Sequence, residues 1–340
     1  MTAGTDASPL VMAQYGTKHG HAAGKLEAMQ DSPDVEVVGV FEPDTERRAE
    51  LEVTSGPFSN VRWFDSEHEL LSDTSIVAVS SEGKNAESLP QTEALVDAGL
   101  HVWYDKPAGE DWPGWQRVMG KAQDKGLLIQ MGYMFRYQNG FCRIAEWVHG
   151  GLLGDVFCTR AHMSTSITPE SRSALEVHQG GIFFDLGGHM LDQIVWLMGR
   201  PTKTTSFLRT DGVPGPSCAD NTLGVLEYEK GLAFVDIAAM EPKPMARRFE
   251  VYGTKGSAIL LDPFEPPHAI RLCLEEPAEG FDAGAQIVPV PTQSRQQTYE
   301  EELVAFVATL RGQQPPDRSA EHELLVQETL LRLTGRISDA

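Results

Sequence analysis

The strongest constraint on the fold is a rhythm in the first 136 residues, where short apolar runs alternate with helix-like stretches. Leu10–Tyr15 leads through Gly16-Thr17-Lys18-His19-Gly20-His21 into a helical pattern. Val35–Phe41 follows, closed by Glu42-Pro43-Asp44, and a charged helix begins near Thr45. Further apolar runs lie at 61–64, 75–80, 101–104 and 127–132, with helical patterns over 89–98 and 112–125 that each end at a glycine. Strands at this pitch pair in parallel, because a parallel neighbour needs a helical crossover. The expectation is a doubly wound, Rossmann-type α/β domain over residues 1–136, with six strands.

After Arg136 the character changes. A helix over 141–149 precedes strand-like runs at 156–164, 204–209, 222–229, 232–239, 248–253, 257–261 and 270–274. The turns Glu229-Lys230-Gly231 and Gly253-Thr254-Lys255-Gly256 read as hairpins. Residues 137–340 are therefore expected to form an α+β domain with a large, mainly antiparallel sheet covered by helices on one face. Two Pro-rich segments, 262–268 and 288–291, read as loops. Helices over 298–311 and 320–336 end the chain and are expected to be able to pack back on the first domain. The sheet face without helices is the expected contact of a homodimer or homotetramer.

Composition excludes several classes. A formal net charge of −21 argues against nucleic-acid binding, which needs basic patches. The four cysteines, Cys142, Cys158, Cys218 and Cys273, are widely spaced without a CxxC, as expected for reduced thiols in the cytoplasm. No apolar run approaches the length of a membrane span, about 18 residues, and residues 1–9 lack the pattern of an export signal.

Ligands of doubly wound sheets bind beyond the carboxyl ends of the strands. Gly16, Thr17, Lys18 and His19 are then phosphate-loop candidates. Glu42 lies 26 residues after Gly16 and 18 after Gly24, near the spacing expected of an acid that holds ribose hydroxyls. Glu42 favours NAD over NADP, while Arg47 and Arg48 keep NADP open. The loop is not a GxGxxG, because Lys18 and His21 occupy its second and third glycine positions. His19 and His21 form an HxH, but two histidines with no evident third ligand predict no metal.

The most chemically suggestive stretch runs from Gly180-Gly181 through Gly199. Apolar residues recur at helical spacing, and Asp185, His189 and Asp192 sit at roughly 0°, 40° and −20° around one helix axis. Two carboxylates and an imidazole thus share a narrow face of an apolar helix, where burial is costly unless they are paired or used. Upstream, Asp105-Lys106-Pro107 ends an apolar strand. A lysine and a histidine with carboxylate neighbours are suited to moving a hydroxyl proton.

Together these residues resemble the Gfo/Idh/MocA family of NAD(P)-dependent oxidoreductases. Asp105-Lys106-Pro107 resembles the family's Glu-Lys-Pro, and Gly180 to Asp192 its glycine-led D-x-x-x-H-x-x-D helix. Phe249-Glu250-Val251-Tyr252-Gly253-Thr254-Lys255-Gly256 resembles its F-x-V-x-G-x-x-G turn. The resemblance spans residues 10–336 and implies hydride transfer between nicotinamide and a secondary alcohol or ketone of a sugar, inositol or related polyol. It implies Lys106, Asp185 and His189 as catalytic residues. Ser80, Ser81, Asn85 and Asp105 join the cofactor set, with Asn85 near the family's usual histidine. Arg136, His178 and Asp192 are the expected substrate contacts. Three rival readings stay in view: the altered loop supports a non-catalytic sensor on the same scaffold, the intact Lys106, Asp185 and His189 set also suits a redox-neutral, NAD-using glycosidase-type enzyme, and His178, Asp185 and His189 with a further ligand would serve a metal-dependent lyase or isomerase.

Overall fold

The computed structural model describes residues 8–212 and 218–338. The chain separates into two compact units, one built from the chain up to Gly132 plus Tyr299–Glu323, the other from Tyr133–Thr298 and the chain from Leu324 on.

The first unit carries a five-stranded parallel sheet among the described residues. Its strands are β1 (Leu10–Tyr15), β2 (Val35–Phe41), β3 (Ala78–Ser81), β4 (His101–Tyr104) and β5 (Ile129–Met131), in the order β2-β1-β3-β4-β5. The order reverses at β1 and β3, which puts a ligand crevice at the ends of those two strands. The predicted strand at 61–64 is instead a single bridge, Val40 to Trp63. Arg62 O and Phe64 N bond to Val40 alone, so the segment touches the sheet edge without extending it.

β5 is an edge strand, and bare edges invite misassociation. Its polar groups are capped from far along the chain. Met131 N donates to Glu323 Oε1 at 3.1 Å, Arg318 Nη2 to Met131 O at 2.5 Å, and the Gln130 side chain to Glu302 O at 3.1 Å.

The second unit carries an eight-stranded sheet among the described residues. Its strands are β6 (Val156–Met163), β7 (Lys203–Arg209), β8 (Asn221–Glu227), β9 (Leu232–Ala238), β10 (Arg247–Gly253), β11 (Gly256–Leu260), β12 (Ala269–Leu274) and β13 (Gly284–Pro289). The order is β13-β12-β11-β10-β6-β9-β8-β7, antiparallel except for the parallel pair β6 and β9. β13 was not evident in the sequence, and part of the 288–291 segment read as a loop belongs to it. Its exposed, Pro-terminated run pairs with β12 only.

Alternation decides the two faces. Ala161, Val235, Gly224 and Phe249 lie on the side packed by helix Ile182–Met198 and its neighbours, where a Cβ on Gly224 would lie 2.6 Å from the Phe183 ring. On the other side one cross-strand row reads Val225, Phe234, Arg160, Glu250, Ile259, Arg271 and Ile287. Phe207 and Ile287 on this side are more than half exposed.

On the same face His162 is clamped between two acids, with Nδ1 2.5 Å from Asp236 Oδ2 and Nε2 2.9 Å from Glu241 Oε2. Both ring nitrogens must carry protons to serve both carboxylates, and the hydrogen bond to Asp236 raises the His162 pKa above its ordinary value. A raised value makes the clamp's stabilisation complete below an unfolded-state pKa of about 6.5, and it is lost as pH climbs through the folded-state value. Denaturant midpoints between about pH 6 and 9 should therefore fall with pH. His162→Gln should flatten that slope; an unchanged slope would assign the pH dependence to other groups.

Candidate functional site

In the first unit the expected cofactor residues gather at the carboxyl ends of β1, β2 and β3. Gly16 adopts φ +83°, and a Cβ there would lie 2.7 Å from Gly83 N, so both conformation and close approach require glycine. Thr17 Oγ1 donates to Glu42 Oε2 at 2.7 Å and Asp44 N to Glu42 Oε1 at 2.9 Å. The buried Glu42 carboxylate is thereby held at the end of β2, with acceptor capacity left on each oxygen for ribose hydroxyls.

The rest of the loop departs from a glycine-rich cradle. Lys18 Nζ lies 2.9 Å from Asp44 Oδ2 and 3.8 Å from Glu87 Oε2. Its hydrogen bond to Asp44 raises its pKa, which secures its charge. His19 N donates to Glu82 O, just beyond β3, and His21 N to His19 Nδ1, so these two N–H groups are already engaged. Room remains at Gly20, where a Cβ would meet nothing within 4 Å, beside the start of helix Ala22–Asp31. These residues fit a dinucleotide: a built ribose acid, an open loop position, a helix N-terminus and a nearby cation. Ser80 and Ser81 are fully buried, with Ser80 Oγ donating to Glu82 Oε1 and Ser81 Oγ paired with Thr92 Oγ1. Both hydroxyls are thus engaged within the first unit, and the two residues pair with β1 on one side and β4 on the other. Asn85 O accepts from Ser88 Oγ at 3.5 Å in the loop before helix Ser88–Asp97.

Behind the loop is an ionic cluster that the sequence reading missed. Lys25 is fully buried, with Nζ 3.1 Å from Glu82 Oε1, 3.2 Å from Asp105 Oδ2 and 4.3 Å from the Trp103 ring centroid. Burial opposes the Lys25 charge, but Asp105, Glu82 and Glu302 outweigh it and raise its pKa. Burial likewise opposes ionisation of Asp105, yet His19, His21 and Lys25 hold its carboxyl well below the usual range. Desolvation pushes Glu82 up to about 7 and Glu302 up to about 8, and pushes His21 down to about 4. Asp105 Oδ1 also accepts from the Lys106 backbone N–H at 2.7 Å, which ties the cluster to the Asp-Lys-Pro turn. Gly132 lies against it, since a Cβ there would come within 2.9 Å of Asp105 Oδ1. The one sequence signal was Lys25 on the inner face of its helix, where an unpaired ammonium has no place.

In the second unit, Gly180 and Gly181 open helix Ile182–Met198. His189 is buried, its ring set edge-on to Phe135 at 5.1 Å. Asp185, one turn earlier, is partly exposed. Asp192 is fully buried and forms a two-bond pair with Arg136, Nε to Oδ2 at 3.2 Å and Nη2 to Oδ1 at 2.6 Å. The guanidinium also lies 4.0 Å from the Trp196 ring centroid, and Gln193 donates to Asp192 Oδ2. This fixes the turn Met134–Tyr137 to the His189 helix. His178 stacks on Phe184 at 4.6 Å, just ahead of the glycine pair. No helix among the described residues is long and apolar enough to cross a membrane.

Residues 16–133 match a family described as an oxidoreductase family with an NAD-binding Rossmann fold, and residues 141–259 match the GFO/IDH/MocA C-terminal domain. Myo-inositol 2-dehydrogenase of Thermotoga maritima is 24% identical over 262 residues, 75% of each chain. 1,5-Anhydro-D-fructose reductase of Ensifer adhaerens is 23% identical over 290 residues, 84% of each chain. The crystal structure of GenD2 from gentamicin A biosynthesis, in complex with NAD, superposes with a TM-score of 0.78 at 20% identity, covering 97% of this chain and 94% of the other. The two family matches span well over half of the chain, in the order that the Asp-Lys-Pro turn and the Asp185 helix require. The chain therefore belongs to the GFO/IDH/MocA family of oxidoreductases, with an NAD-binding Rossmann domain at its N-terminal end.

Proposed function

We propose that the protein is an NAD-preferring dehydrogenase or reductase acting on a secondary alcohol or ketone of a sugar, inositol or related polyol. The observation that carries the cofactor preference is Glu42, a buried carboxylate held at the end of β2 by Thr17 and the Asp44 N–H. A fixed anion there accepts ribose hydroxyls and repels a 2′-phosphate. The substrate class rests on the polar face of helix Ile182–Met198 and on the two relatives named for inositol and an anhydro sugar.

When bound, nicotinamide supplies the acceptor or donor of hydride. In this reading Lys106 holds the reacting oxygen through its ammonium. His189 takes the hydroxyl proton as the carbonyl forms and returns it in the reverse direction. Asp185 partners His189 or receives a substrate hydroxyl. His178 contributes to substrate binding. Arg136 and Asp192 position the His189 helix through their buried pair. A non-catalytic binding role draws support from the engaged N–H groups of His19 and His21, which a diphosphate would otherwise use.

Calorimetric titration of the purified protein with NAD and NADP, oxidised and reduced, separates these readings. The dehydrogenase reading expects NAD to bind at least about tenfold tighter than NADP, as 1.4 kcal/mol of discrimination requires. Glu42→Ala should erase that preference, and a polyol screen should then yield NADH. Absence of binding by cooperatively folded protein would favour the sensor, and glycoside cleavage without net NADH the redox-neutral enzyme.

We assign the helix-free face of the second unit's sheet to a homo-oligomer contact, because it exposes Phe207 and Ile287 beside a continuous mixed apolar row. Light scattering should report a dimer or tetramer that Phe207→Asp with Ile287→Asp converts to monomer while circular dichroism is unchanged. A monomeric parent protein would remove the assignment.

A further inference from the structure

We propose that His19, His21 and Asp105, with Glu82 as a fourth ligand, form a binding site for a divalent transition-metal ion of the zinc class. Such a site would fill with neither dinucleotide nor substrate present.

Three donor groups converge. His19 Nδ1 lies 3.2 Å from Asp105 Oδ2, and His21 Nδ1 lies 3.0 Å from the same oxygen. One ligand atom from each of the three residues falls within 4.8 Å of the other two. A tetrahedral site with ligands at about 2.0–2.1 Å has ligand-to-ligand edges of about 3.3–3.4 Å. The edges from Asp105 Oδ2 to His19 and His21, 3.2 and 3.0 Å, are close to that size, and Glu82 Oε2 stands further out at 3.7 Å from His19 Nδ1.

The independent observation is Glu82. Its side chain is fully buried, and Oε2 makes no hydrogen bond, although it sits 3.7 Å from His19 Nδ1. Oε1 is already used by Ser80 and Lys25, so Oε2 is the atom left over, on the side of His19. A buried carboxylate oxygen without a donor is costly, and a cation at the convergence point would satisfy it.

Hydrogen bonding alone leaves His19 in conflict. Its Nδ1 accepts from His21 N–H at 3.2 Å, which requires a lone pair, yet it also faces Asp105 Oδ2 at 3.2 Å, where a lone pair is repelled. A metal ion would take that one lone pair in place of the His21 N–H and would stand between it and the Asp105 oxygen, coordinating both. Imidazoles and carboxylates together suit zinc and its first-row neighbours better than magnesium or calcium. His19 and His21 are the members of the set that reach toward the surface.

The test is metal content of the intact protein after purification, followed by titration of the chelator-treated protein with Zn2+ and with Co2+ as a visible-absorbing probe. About one equivalent should bind, with the intense d–d bands of a four-coordinate Co2+ site. His19→Gln and Asp105→Asn should each weaken Zn2+ binding at least about 100-fold, beyond the 10–100-fold expected when only a supporting residue is lost. His162→Gln, which removes a different carboxylate-bound histidine, should bind as the parent does. Each variant's unfolding curve is recorded, and if Asp105→Asn fails to fold, His19→Gln and the Co2+ spectrum decide. Absence of saturable binding by folded parent protein would overturn the proposal. So would octahedral-type weak Co2+ absorption, or binding unaffected by His19→Gln. NAD titration of the metal-free protein is scored separately, so failure of the metal site and failure of the dehydrogenase reading give different results.

Discussion

Lys106→Met is expected to lower kcat about 10²–10⁴-fold while leaving NAD affinity within a few-fold of the parent. That is the range for removing a positioned proton-transfer group from a hydroxyl-to-carbonyl step. His189→Asn should fall in the same range. If the two groups act on one proton, the double variant should be little worse than either single one, because residues that work as a unit are not additive. Steady-state rates with NAD and the best polyol of the screen, together with separate NAD titrations, check all three variants. Unchanged kcat in Lys106→Met would remove Lys106 from the chemistry. Lost NAD affinity with an unchanged single-turnover rate would make it a cofactor ligand instead.

Lys25→Met is expected to have the largest effect on stability. The substitution keeps the length of the side chain over the Trp103 ring but removes the ammonium, leaving Asp105 and Glu82 buried together. Breaking a buried ion pair from one side costs about 3–5 kcal/mol, because the remaining charge has no compensation. For a chain of this size that corresponds to a drop of roughly 10 °C in Tm. Adding Glu82→Gln should restore part of the loss by removing one uncompensated acid, and denaturant midpoints in a double-mutant cycle measure how much. A Lys25→Met protein as stable as the parent would show that the cluster contributes little to holding the first unit together.

The elements of both units were legible where periodicity was strong. Helix Ile182–Met198 carries apolar residues at regular spacing between a glycine pair and Gly199, so its limits and its Asp185, His189 and Asp192 face could be read directly. The run at 61–64 has strand-like residues but only a single bridge to Val40, because sheet membership depends on available partners and not on local preference. β13 was hidden for the complementary reason: its residues follow no strong alternation and are held by pairing with β12.

The site was legible in its local motifs and obscure in its long-range contacts. Glu42 announced itself by spacing from the loop. Asp105 sits 84 residues from His21, and no spacing rule joins an HxH in one loop to an acid at the end of another strand. Lys25 lies in helix Ala22–Asp31, Glu82 just after β3 and Glu302 in helix Arg295–Leu310, so only tertiary packing brings them together. Arg136 and Asp192 were both visible as unusual charges, but their mutual pairing across 56 residues was not.

The capping of β5 has a consequence for biosynthesis. The chain emerges from the ribosome N-terminus first, yet Gln130 must wait for Glu302, 172 residues later, and Met131 for Arg318 and Glu323, 187 and 192 residues later. At about 5–20 residues per second the nascent β5 edge stays uncapped for on the order of ten to forty seconds. During that interval it can recruit a chaperone or stray into pairing with a neighbouring polysome product. A fragment that stops after β5 would carry this exposed edge permanently, so sequence contiguity is a poor guide to where this protein can be cut.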